Sequence, residues 1–201
     1  FPGPGLSINV LCSNGNDSFP ETDITLKKLQ NCLKDCECDH EILPVRSVGV
    51  QGDQRTYASP VALLNHPRNW DWLENQSTRI TNEVREVNRV VVILGSNSKD
   101  LKAKFNLHKA FCSKDRLDLL READYITTKM FEKHGQMKKI FQLLVILLPI
   151  SKNGKEESLV IRPVISEDVM TAQFARIDWE LLDNLVVSLL DIKGIETVFY
   201  D

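Results

Sequence analysis

The 201-residue sequence has no apolar run long enough to cross a bilayer. The longest, IFQLLVILLPI at residues 140–150, is too short and contains Gln142. No signal-peptide pattern is visible in these residues, so a soluble, cytosolic chain without a membrane partner is expected. Neither H-E-x-x-H nor G-x-S-x-G occurs, and FPGPG lacks the lysine and the spacing of a phosphate-binding P-loop. Charge of one sign is also missing. The net charge is -3, and the aromatic residues do not alternate with basic ones, which argues against a nucleic-acid surface. The histidines His40, His66, His108 and His134 are scattered through polar contexts and read as surface groups.

What is present is an ordinary globular composition, with 42% hydrophobic and 26% charged residues. There are 5 cysteines, an odd number. Cys32, Cys36 and Cys38 lie close together, with His40 after them, and these are ligand types that zinc accepts. The C-x3-C-x-C spacing has no second ligand pair nearby, so reduced thiols at a helix end are the plainer expectation. The sequons at Asn16 and Asn75 matter only in a secreted protein. Both chain ends read as cut edges of a larger protein.

Periodicity divides the chain into elements. LSINVLC reads as a strand and TLKKLQNCL as a helix. EILPVRSVGV and ASPVALL read as strands joined by the polar connection QGDQRTY. A helix capped by Asn69 follows, with Trp70, Leu73, Ser77, Ile80, Val84 and Val87 along one side, and NRVVVILG is a buried strand. After a polar segment, a helix runs through DRLDLLREADYITTKMFEKHG to Gly135. FQLLVILLPI and SLVIRPVI form a hairpin around SKNGKEE, which reads as solvated. Asp178 caps a helix that Gly194 closes, and IETVFY is the last strand.

The order repeats: two strands with a polar turn, a helix, a strand. Trp70 parallels Trp179, and Leu73 parallels Leu182. The expected fold class is α+β, as two tandem related subdomains, each a small mostly antiparallel sheet with helices on one face. The expected boundaries are 1–95 for the first, 96–113 for a linker and 114–201 for the second.

Two polar stretches could carry chemistry. In QGDQRTY, Gly52 permits a tight turn, Gln51 and Gln54 each offer a donor and an acceptor, and Asp53 can orient a partner. Arg55 can fork onto a phosphate or carboxylate. A solvated hairpin turn with a surface ion pair fits the same residues. In FPGPG, prolines fix the backbone, while Gly3 and Gly5 let another group come close; an interdomain turn is the alternative. Gln142 breaks an apolar strand, and an amide buried there would need partners or face a ligand. Glu167 and Asp168 read as a solvated acidic turn. No catalytic or metal-ligating residue is assigned.

At FPGPGLSINVL, LPVRSVGVQGDQRTY, LREAD, the Gln142 strand and EDVMTAQFARIDWELL, the chain resembles the C-terminal dimerisation domain of glutamine-hydrolysing GMP synthases. The tandem arrangement is similar to the two-subdomain eukaryotic form. The resemblance implies a C–N ligase that converts ATP, XMP, glutamine and water to GMP, AMP, diphosphate and glutamate. It also implies that this chain contributes XMP binding and a homodimer contact. By motif, Gly3, Pro4 and Gly5 would lie beside XMP, with Gln51, Gly52, Asp53 and Arg55 as the polar loop. Arg55 would hold the phosphate, and Gln142 would contact it from the second half. The amidotransferase and ATP-pyrophosphatase domains would be partners within the same enzyme. ATP and Mg²⁺ would belong to them, and no cofactor to this chain. Without their S-G-G-V-D-S loop and cysteine nucleophile elbow, the chain is not expected to be active alone. The competing expectation is an oligomerisation module that does not bind nucleotide.

Overall fold

A computed structural model describes residues 5–15, 23–34, 36, 38–51, 54–100, 102–166 and 173–201. At residues 23, 24, 50, 51 and 54–56 it describes the backbone alone. The chain divides into two compact units, one of Ser18–Ile93 and one of Phe1–Asp17 with Leu94–Asp201. The fold is α+β, as the hydrophobic patterning implied.

The Ser18–Ile93 unit begins with helix α1 (Asp23–Cys32). Its apolar face buries Leu29 and Leu33, while Leu26 is half-buried. The expected single strand EILPVRSVGV is two strands, β1 (Asp39–Ile42) and β2 (Ser47–Gln51). Pro44 explains the break, because it has no N–H to donate to a ladder and pushes Leu43 out of line. Both strands pair antiparallel with the long β3 (Gln54–Leu64), β1 against Val61–Leu64 and β2 against Gln54–Ala58. Helix α2 (Trp70–Glu83) then crosses back, its first turn capped by Asn69 Oδ1, which accepts from Trp72 N at 3.0 Å. Leu73, Ile80 and, beyond the helix, Val84 and Val87 are buried, as their spacing predicts. Strand β4 (Val87–Ser96) runs parallel to β3, so this sheet is mixed.

The second unit repeats this plan. Helix α3 (Lys114–Lys133) starts at Ser113 and buries Leu120, Ala123, Thr127 and Phe131. Strand β6 (Gln142–Leu148) pairs antiparallel with β8 (Glu157–Ile165), helix α4 (Trp179–Leu190) crosses back, and β10 (Ile195–Tyr200) lies parallel to β8. The Asp178 side chain caps α4 by accepting from Glu180 N and Leu181 N. Val145, Leu147, Leu159, Ile161 and Val198 alternate onto one fully buried face, each such side chain stabilising by roughly 1.5–3 kcal/mol. α3 packs on β6 and α4 on β10. Short pairs complete the unit: β5 (Asn106–Leu107) with β7 (Ile150–Ser151), and β9 (Gln173–Phe174) with β8.

The two repeats share a detail finer than element order. In β4, Asn88 and Arg89 together stand opposite Pro60 alone, because Ser59 pairs with Val87 and Val61 with Val90. In β10, Glu196 is the extra residue between Ile195, opposite Glu157, and Thr197, opposite Ser158. Each repeat therefore bulges its last strand just after that strand begins, which chance similarity between two strand–helix–strand units does not require.

Three further expectations change. LSINVLC is not a strand: Leu6–Asn9 is a 3₁₀ turn, and only Val10 bridges a strand, at Leu147. With a single bridge there is no ladder to hold the earlier residues extended. Residues Phe1–Asp17 group with the later half of the chain, consistent with that bridge and with the Ser13–Ala110 bridge. SKNGKEE is not plainly solvated. Gly154 makes the turn with φ 69°, but Ser151, Lys152 and Glu157 are buried. The bulged Glu196 carboxylate accepts from Lys152 N at 2.5 Å and Asn153 N at 3.1 Å, so the turn is capped from inside.

Candidate functional site

The β2–β3 hairpin is an arm. Its register runs from Ser47↔Ala58 to Gln51↔Gln54, while β1 and β4 pair with β3 only from Ser59 onward in the described pairings. Gln51 and Gln54 thus stand opposite each other at the arm's end, with Arg55 one residue inside, paired with Val50. Gly52 and Asp53 lie outside the described residues, as do the side chains of Gln51 and Arg55.

Gly5 and Gln142 belong to the other unit. The Val10–Leu147 bridge is parallel, and Leu11 N donates to Leu147 O at 2.9 Å. Gly5 precedes Val10 by five residues, and Gln142 precedes Leu147 by five. The Leu6–Asn9 3₁₀ turn lies between Gly5 and that bridge. Gln142 is exposed as the first residue of β6, opposite Val164. It is therefore not the buried amide that its apolar neighbours suggested. Gly3 and Pro4 lie outside the described residues, as do Glu167 and Asp168 and the sequon at Asn16.

The sequence reading missed two polar groupings. Asn88 Nδ2 donates to Ser47 O at 2.8 Å, Ser47 Oγ donates to Asn88 Oδ1 at 2.5 Å, and Arg89 Nη2 donates to Val48 O at 3.0 Å. The signal was Pro60, since a proline inside a strand points to a bulge in its partner. The second grouping is buried. Arg116 Nε and Nη2 donate to the two Glu157 carboxylate oxygens at 2.7 and 2.8 Å, and Nη1 donates to Phe111 O at 3.1 Å. His108 Nε2 lies 3.4 Å from Glu157 Oε1, so His108 is not the surface group expected. Nothing local in the sequence joins these residues.

The cysteine cluster does not gather as a metal centre. Among the described residues, no group of three or more histidine, cysteine or acidic side chains could hold a metal ion. The Cys32 thiol donates to Glu83 Oε2 at 2.9 Å and the Cys36 thiol to Gln76 Oε1 at 3.3 Å. Burial, then the Glu83 carboxylate, pushes Cys32 up from 9.0 to about 11, and burial does the same to Cys38. A folded-state value above the unfolded one means that the thiols' contribution to stability is complete below about pH 9 and is lost as pH rises toward 11. Cys32→Ala with Cys38→Ala should flatten that loss by roughly 1–2 kcal/mol, discounted for solvent near the thiols. Urea unfolding at pH 8 and pH 10.5 measures it, and equal pH slopes in the variant and the wild type would contradict it.

The family described as GMP synthase C terminal domain matches residues 129–201. A probable glutamine-hydrolysing GMP synthase of Leptospira interrogans is 36% identical over 205 residues, covering 100% of this chain and 33% of the relative. The chain belongs to the C-terminal domain family of GMP synthases. The glutamine-hydrolysing GMP synthase of Dictyostelium discoideum is 26% identical over 247 residues, covering 100% of this chain and 34% of that relative. One from Prochlorococcus marinus is 42% identical over 125 residues, covering 48% of this chain and 22% of that relative. The chain thus spans about a third of the length of the curated relatives that match all of it. As a GMP synthase domain, it aligns with relatives through both of its repeats, including the first, which lies outside the span matched by the family.

Proposed function

We propose that this chain is the XMP-binding, dimer-forming part of a cytosolic, glutamine-hydrolysing GMP synthase. The observation that carries the reading is the alignment of the whole chain, arm and Gln142 strand included, with relatives named GMP synthase. In the full enzyme the amidotransferase domain releases ammonia from glutamine. The ATP-pyrophosphatase domain, with ATP and Mg²⁺, adenylates the purine C2 oxygen of XMP. Ammonia then displaces AMP to give GMP.

This chain's part is to hold the nucleotide. Gly3 and Gly5 supply backbone that a purine or phosphate can approach without a Cβ in the way, and Pro4 between them restricts the chain beside XMP. Gln51, Gly52, Asp53 and Arg55 serve XMP as its polar contacts, and Arg55 grips the phosphate through its forked donors. Gln142 adds an amide contact.

Arg55→Ala in the full-length enzyme tests the assignment. Losing charge-assisted hydrogen bonds to a phosphate should raise the KM for XMP about 10- to 100-fold. The KM for ATP and glutaminase activity should stay within about twofold, because the lost term is binding of one substrate. An unchanged KM for XMP would sink the phosphate role and favour a module that only assembles the enzyme. Light scattering on the full-length protein tests the dimer directly.

A further inference from the structure

The arm poses a physical problem. A two-stranded hairpin is at best marginally stable in water, and the described pairings join Gln54–Ala58 to β2 alone. Some other contact has to fix where its end points. The β4 bulge supplies one. Pro60 removes a ladder donor from β3, and β4 answers by placing Asn88 and Arg89 opposite that single residue. Freed from the ladder register, their side chains reach the base of β2. Asn88 exchanges two hydrogen bonds with Ser47, and Arg89 donates to Val48 O.

Gly49 completes the fit. A Cβ at that position would stand 2.7 Å from Asn88 Cβ, 3.0 Å from its Nδ2 and 3.1 Å from its Cγ. The near atom is the root of the Asn88 side chain rather than a movable tip, so Asn88 occupies the space that only glycine leaves. Gly49, Ser47 and Asn88 therefore interlock along the arm, with Gly49 one residue and Ser47 three residues from Val50, the partner of Arg55.

We propose that Asn88 and Arg89 are positioning residues that clamp the β2–β3 arm and thereby set where its polar end meets XMP. They act through the arm and do not touch the substrate. The functional half of this proposal rests on the reading of the arm as an XMP-binding element; the clamp itself does not.

The test uses the full-length enzyme with Asn88→Ala, Gly49→Ala, Arg89→Ala and Arg89→Lys. Amide hydrogen exchange over residues 47–58 is read beside steady-state kinetics with XMP varied. Loss of two hydrogen bonds from Asn88 should speed exchange across 47–58 about tenfold or more, while α3 and α4 stay unchanged. The KM for XMP should rise roughly five- to tenfold with the KM for ATP within twofold. Arg89→Lys, which keeps a donor for Val48 O, should recover most of what Arg89→Ala loses. Should Asn88→Ala or Gly49→Ala fold poorly, the milder Arg89 pair carries the test. Unchanged exchange in 47–58 in these variants overturns the clamp, whatever the kinetics do. Faster exchange with an unmoved KM for XMP overturns its link to substrate. In that event Arg55→Ala separates the causes: a raised KM leaves the arm as the XMP element and removes only the clamp's role, whereas an unmoved KM removes the XMP reading as well.

Discussion

Glu157→Ala should destabilise the chain by about 3–5 kcal/mol, because it strands a buried guanidinium. Both side chains of the Arg116–Glu157 pair are 10% exposed, and their contact is two-pronged. Without the carboxylate, Arg116 retains Phe111 O as its partner from this network, and His108 Nε2 loses the oxygen that it faces. The large effect comes from the desolvated charge left behind rather than from the worth of the pair. Two companions separate these terms. Glu157→Gln keeps the shape and one acceptor, so it should cost less, about 1–3 kcal/mol. Arg116→Met combined with Glu157→Leu removes both charges together and should recover most of the loss. Urea unfolding followed by circular dichroism measures all three. A Glu157→Ala loss below about 1 kcal/mol would mean that water reaches the guanidinium and that the pair is not sealed.

The same pair shows where reading the sequence runs out. Elements that depend on neighbours along the chain were legible: the Asn69 and Asp178 caps, the buried spacing of Leu73 and Ile80, and the alternation of β6 and β8. The repeat was legible too, since Trp70 and Trp179 open equivalent helices. What failed depends on distant partners. Glu157 meets Arg116 across 41 positions, and Glu196 caps the Lys152–Asn153 turn across 44 and 43. No local pattern announces either. Gln142 was misjudged for a related reason. Its apolar neighbours suggested an interior amide, but it stands at the open start of its strand, and burial is set by what packs above. The parallel pairing of β4 with β3, and of β10 with β8, follows from the crossover helices α2 and α4, since a helix between two adjacent strands returns the chain in the same direction. Of the candidate site, the arm and the Gln142 strand were legible as elements. The hydrogen bonds of Asn88 and Arg89 to β2 were not, because they depend on side chains brought together in space.

The repeat makes its own stability claim. Leu182 and Leu73 occupy equivalent turns of α4 and α2, at 1% and 5% exposure. If they are equivalent in energy as well, both truncations to alanine should be costly, at about 2–5 kcal/mol each. Leu182→Ala should lie at the upper end. Its helix buries Leu181, Leu185, Val186 and Leu189 besides, whereas α2 buries Leu73 and Ile80. A well-filled core relaxes less around a new cavity, and the unrelaxed volume sets the cost. The two changes should also report locally. Hydrogen exchange should accelerate most within 157–200 for Leu182→Ala and within 54–93 for Leu73→Ala, since the two helices belong to separate compact units. Should Leu73→Ala instead cost under about 1 kcal/mol, the first repeat would retain the pattern of the second without its packing. Its core would then be a remnant, and a clamp built on β4 would have no firm base to hold the arm against.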